Sequence, residues 1–182
     1  MCVQPPLSYP RCMVVEQSNA SSRKKCLLET LRARVAEDLA TLVRRQKDTV
    51  RGATHEDSRS EHAKDTRAAE QSYLARGLAE RVENLRESKE RLARLEPTAF
   101  HPDAAIGLGA LVVLFDIESK TLETWWIVPV AGGIDLRVDE ENVRTVTPAA
   151  PLGRCLIGLC AGDDGEFRTP KGPRSFEIRQ VG

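Results

Sequence analysis

A chain of 182 residues, 30% charged and 41% apolar, has the composition of a water-soluble protein with room for one domain or two small ones. Its 27 basic and 27 acidic residues cancel; that argues against a domain gripping DNA phosphates, which needs an excess of Lys and Arg, and favours a partner of mixed charge such as a protein. Five cysteines (Cys2, Cys12, Cys26, Cys155 and Cys160) are odd in number and lack framework spacing, so a reducing compartment is expected. No apolar run approaches the roughly 20 residues of a membrane span, and the short Cys12-Met-Val-Val15 run is too small for a secretory signal. The expected location is cytoplasmic.

Residues 1–22 hold Pro5, Pro6 and Pro10 and a Ser/Asn-rich patch without period, which predicts a disordered extension. Ser21 or Ser22 is the expected N-cap of a helix whose stripe is Leu28, Leu31, Val35, Leu39 and Leu42. Residues 51–67 nearly lack apolar side chains and carry four acids and four bases, which predicts an exposed polar tip. A second helix follows with Leu74, Leu78, Val82, Leu85 and Leu92 as its seam and Lys89 in register between the last two. Two such seams joined by a short polar link pair as an antiparallel coiled-coil hairpin, here spanning residues 23–97.

Pro97 and Pro102 end the helical region, and the pattern changes to period 2. Residues 108–117 and 122–128 are expected strands, with another short one within 134–146. Trp125 and Trp126 are adjacent, so they are expected on opposite faces, one of them in the core. Leu152, Leu156 and Leu159 mark a short helix, and residues 166–169 and 175–181 a closing hairpin. Residues 98–182 are thus expected to form a compact α+β domain. Cys155 and Cys160 have no second pair to complete a zinc site.

The string Thr147-Pro-Ala-Ala-Pro-Leu-Gly-Arg-Cys-Leu-Ile-Gly158 resembles the Ser-Pro-Leu-(Ala/Gly)-Arg-Ala-Leu-Leu-Gly stretch of the Gre family of bacterial transcription elongation factors. Gly162-Asp163, the closing Ser175-Phe-Glu-Ile-Arg-Gln-Val181, and Glu70-Gln71 followed by Gly77 also match that family. The resemblance covers roughly residues 24–181. It implies an FKBP-like C-terminal domain, with one short helix, that docks on RNA polymerase, with Pro148, Pro151, Leu152, Gly153, Arg154, Gly158 and Asp163 as polymerase-binding residues. It also implies a hairpin that enters the polymerase secondary channel and contacts the nascent RNA indirectly. Acidic tip residues there would help the polymerase's own site cleave a backtracked transcript. The factor is then no enzyme by itself, and it binds no cofactor or metal alone. Its tip carboxylates share the polymerase magnesium, in the two-metal arrangement used for phosphodiester hydrolysis. A monomer is expected.

The tip departs from the family's Gly-Asp-x-x-Glu-Asn. Counted back from Glu70-Gln71 without a gap, Glu61 takes the family's Glu, Ser58 stands at its Asp, and His62 replaces its Asn. Asp57 is one residue away, so the candidate pair is Asp57 and Glu61, four apart and able to share a helical face. Three other readings stay open. One is a secondary-channel regulator or inhibitor that does not cleave; another is a prolyl isomerase, suggested only by the FKBP-like topology; the third is a coiled-coil adaptor.

Overall fold

No proline occurs between residues 11 and 96, and a single helix, α1, occupies most of the first third as Cys12–His55. A computed structural model describes residues 12–55, 64–138, 141–170 and 172–182, with side chains described for 21–48 and, within those ranges, from 73 onward. The helix begins ten residues before the expected N-cap, so the disordered extension of residues 1–22 is corrected over 12–22. Ser and Asn lower helix propensity by only about 0.5 kcal/mol each, and no residue after Pro10 breaks the run. The second helix, α2, is Lys64–Ala93.

The helices meet at their base in reverse order, the early turns of α1 against the last turns of α2. Leu27, Leu28, Leu31 and Val35 are buried there with Leu92, and Leu85 and Leu95 pack at the margin. Farther out the seam loosens: Leu39, Leu42 and Leu78 are half-buried, and Leu74 is 63% exposed. Leu74 therefore lies outside the seam expected for it. Lys89 is exposed and its neighbour Ser88 is half-buried in its place. At the base a third layer, the sheet, completes the burial; beyond it each helix has only the other, and two helices alone cover a narrow stripe.

The end of α2 is closed by a residue of α1. The Arg32 guanidinium donates to the carbonyls of Leu92 (2.9 and 3.1 Å), Ala93 (3.0 Å) and Leu95 (3.1 Å). Terminal carbonyls have no partner within their own helix and carry its negative dipole end, so a cation is the fitting cap. Arg32→Met keeps the packed stem and removes the cap. It is expected to cost about 2 kcal/mol, the scale of hydrogen bonds to charged groups. In hydrogen exchange the amides of the last α2 turn should lose protection before those near Val82.

The chain then forms β1 (Leu111–Asp116), β2 (Thr121–Ile127), β3 (Asp135–Val138), β4 (Glu141–Val146), α3 (Pro151–Leu156), β5 (Asp164–Thr169) and β6 (Gly172–Val181). The sheet order is β3-β4-β2-β1-β6-β5. The single strand expected within 134–146 is two, β3 and β4, paired antiparallel. Because β4 lies between β3 and β2 and runs two reversals after β2, it pairs parallel to it. All other pairs are antiparallel.

Alternation along the strands gives the sheet two buried faces. Leu111, Trp126, Val128, Leu136, Val138 and Val143 meet the hairpin base. Val112, Leu114, Ile127, Phe176 and Ile178 face the other way, against Leu152 and Leu156 of α3. The adjacent tryptophans divide as expected: Trp126 is in the core and Trp125 is half-buried on the α3 side. At one end of the sheet Asp116 is buried and paired with Arg174 of β6, whose guanidinium also reaches Glu123 at 2.9 Å. Among the described residues no helix is long and apolar enough to cross a membrane.

Candidate functional site

Two regions carry the residues singled out by sequence. The first is the far end of the hairpin. Asp57 and Glu61, with Ser58 and His62, lie outside the described residues, between His55 at the end of α1 and Lys64 at the start of α2. What the structure supplies is the lever beneath them. From Leu27 at the base to His55, α1 extends by roughly 43 Å at 1.5 Å per residue.

The second region is the turn of chain around α3. Its start is set by Pro151 in the first turn, where the missing N–H costs nothing. Ala150 precedes it in extended conformation; its N–H donates to the Thr147 carbonyl at 3.0 Å, and its carbonyl accepts from Arg154 N–H at 2.9 Å. Gly153 lies directly on this turn: a Cβ there would stand 2.0 Å from the Thr147 carbonyl oxygen. Gly158, at φ +89°, ends the helical turn in the left-handed region that glycine adopts freely. Its N–H then donates to the Ile106 carbonyl at 2.9 Å.

This geometry sorts the seven expected contact residues. Pro151, Arg154 and Gly158 are exposed and Pro148 is half-buried. Leu152 and Gly153 are buried, so they shape this surface from beneath and cannot touch a partner directly. Asp163 is exposed, but its carboxylate accepts from Cys160 N–H at 2.7 Å and closes its own turn. Ile157, three residues after Arg154, is 42% exposed on the outer side. Helical spacing from Arg154 marks it as a neighbour that the sequence reading passed over.

Loop 147–151 stands as a ridge between two hollows. One, of about 450 Å³, is walled by Trp125, Arg144, Pro151, Phe167 and Pro170. Arg144 lies 5.7 Å from the Trp125 ring, and the indole N–H donates to Glu123 at 3.1 Å. The other, of about 510 Å³, opens toward α2 between Arg91, Leu108, Val130 and Pro148. Leu108 is 47% exposed there. An apolar ridge with flanking hollows and the exposed Arg154 guanidinium beside it resembles the anchor-and-rim pattern of protein interfaces. Cys155 donates its thiol to the Glu166 carbonyl at 3.4 Å.

Relatives decide what this combination is. The transcription elongation factor GreA of Paracoccus denitrificans is 34% identical over 122 residues, covering 67% of this chain and 71% of that protein. GreA of Mesorhizobium japonicum is 30% identical over 155 residues, 85% of this chain and 90% of that one. The chain belongs to the GreA family of transcription elongation factors. The resemblance carried by residues 147–158 and by the hairpin is therefore one of descent. No protein-family model matches the chain. Among solved structures, GreA factor homolog 1 of Thermus thermophilus overlaps it with a TM-score of 0.35 at 22% identity, over 83% of this chain and 94% of that one, a likeness too loose to decide anything further. GreA membership accounts for both halves at once, a hairpin too thin to enclose a pocket and a small sheet domain with an exposed ridge.

Proposed function

We propose that this chain docks on RNA polymerase through the ridge at 147–151 with Arg154 and Ile157, inserts its hairpin into the secondary channel, and promotes cleavage of backtracked transcripts. The observation that carries this reading is the match to GreA across 90% of a relative's length, which takes in the hairpin and the sheet domain together. In this reading the factor acts in the cytoplasm as a monomer and is not an enzyme on its own. The polymerase supplies the site and the first magnesium. Asp57 and Glu61 would add hard oxygen ligands for the second, which keeps most of its waters and needs only one or two carboxylates.

Ser58, standing where the family has Asp, favours a second reading. Catalytic groups tolerate little displacement, about 1 Å costing up to about 100-fold, so the shifted pair motivates a regulator that fills the channel without cleaving. The deciding experiment uses stalled, backtracked elongation complexes of the cognate polymerase. Accelerated transcript shortening that Glu61→Ala abolishes, with polymerase binding retained, is the expected result. Binding in competition with another secondary-channel factor but no acceleration would establish the non-cleaving reading. No binding to polymerase would overturn both.

A further inference from the structure

Three cations of α1 each bind a different segment at the hairpin base. Arg23 pairs with Glu141 of β4, Arg32 caps α2, and Lys24 reaches the connector between α2 and the sheet. Lys24 is the unusual one. It is 1% exposed, and its ammonium donates to the Thr98 carbonyl at 2.5 Å and lies 4.6 Å from the centre of the Phe100 ring. Among the described residues no carboxylate pairs with it. Burial lowers its pKa to about 8, which marks the site as unfavourable for the charge it holds. An apolar side chain of the same length would be the cheaper occupant if packing were the only demand.

What an apolar side chain lacks is direction. The contact of Leu27, Leu28 and Leu31 with Leu136, Val138 and Val143 excludes water without preferring one angle strongly. A charged donor aimed at one carbonyl and one ring face fits a single pose. That pose is passed inward. The Phe100 ring lies against Gly107 and Gly109, 3.6 and 3.9 Å from where their Cβ atoms would be. The Gly109 carbonyl accepts from the Trp126 indole at 3.3 Å. A continuous path thus joins α1, through Lys24 and Phe100, to the middle of the sheet.

We infer that Lys24 is a positioning residue that sets the angle at which the hairpin leaves the sheet domain, acting through Phe100 and the connector. The consequence for transcript cleavage rests on the proposed function, whereas the angle itself does not. Over a lever of roughly 43 Å, a swing of about 10° moves the tip by about 8 Å. That displacement is far beyond what aligned carboxylates tolerate.

The test measures the angle without polymerase. Spin labels attached through non-cysteine chemistry at Glu80 on α2 and Arg168 on β5, both exposed, report the hairpin-to-domain distance by pulsed dipolar spectroscopy. The unsubstituted protein should give one narrow distance. Lys24→Met should broaden or shift it by several ångströms while the melting temperature holds or rises, and Phe100→Leu should do the same from the other side of the contact. An unchanged narrow distance in either folded variant overturns the inference and leaves Lys24 a space-filler. In the cleavage assay Lys24→Met should slow shortening by about tenfold or more with a smaller loss in competition for polymerase. If the unsubstituted protein does not cleave, the proposed function fails while the distance measurement still judges the role of Lys24.

Discussion

Adding one methyl group at position 153 is expected to cost this protein more than losing any one of its exposed ion pairs. A Cβ on Gly153 would stand 2.0 Å from the Thr147 carbonyl oxygen and 2.8 Å from its carbon. The obstacle is backbone, so no side chain can rotate away. Either α3 lifts, drawing Leu152 and Leu156 out of the core they share with Phe176 and Ile178, or loop 147–151 moves and the ridge is lost. Overpacking costs about 1–3 kcal/mol where neighbours can yield, and here the upper end or beyond is expected. Denaturant unfolding of Gly153→Ala should show a midpoint well below that of the unsubstituted protein. Gly77→Ala is the control. It sits in α2 with nothing within 4 Å of an added Cβ, so the gain in helix propensity should stabilise by up to about 1 kcal/mol.

Replacing Asp116 by Asn should be the second large effect, and it should depend on pH. Burial pushes the Asp116 carboxyl up, but bonds from the Ser119 N–H (2.6 Å) and hydroxyl (2.7 Å) and from Arg174 outweigh it and hold the pKa below the ordinary 3.8. A carboxyl depressed in the folded state binds fewer protons there than in the unfolded chain. Its stabilisation is complete above the ordinary carboxylate range and is lost as pH falls through the folded value. Breaking a fully buried pair costs about 3–5 kcal/mol. Arg174 is 33% exposed and keeps Glu123, so about 2 kcal/mol is the expected loss at neutral pH after allowing for solvent. Chemical denaturation at a series of pH values checks this. The unsubstituted protein should lose stability between about pH 5 and pH 2, and Asp116→Asn should lose less over that interval. Equal slopes would mean that Asp116 does not carry the acid sensitivity.

The parts of this fold legible from sequence are those with a local signature. The 3.6 period of Leu28, Leu31 and Val35 foretold α1, and the alternation around residues 111–116 foretold β1. The short helix α3 was legible in the spacing of Leu152 and Leu156, although it ends at Leu156 and Leu159 lies beyond it. The early start of α1 at Cys12 has no signature in the sequence, because residues 12–22 carry no apolar period; they extend a helix whose packed turns below them already supply the nucleus. Leu74 and Lys89 were misplaced for a different reason. A heptad pattern says which residues share a face, but it does not say how far the covering layer extends along that face.

Of the candidate site, what the sequence alone singled out were strings: residues 147–158, the polar residues 51–67, and Ser58 in place of the family's tip Asp. Those marks are strings of adjacent residues, and a string is what a sequence contains. The tertiary structure alone decided that Gly153 and Leu152 support the ridge from below and that Arg32 and Lys24 contact the end of α2 and the connector at the hairpin base. It also showed that β4 runs parallel to β2 and that both faces of the sheet are covered. The hairpin base and the sheet order depend on contacts across long separations, such as Lys24 with Thr98 and Arg32 with Leu92. Such contacts are set by how whole elements pack, and no residue's neighbours along the chain carry that information.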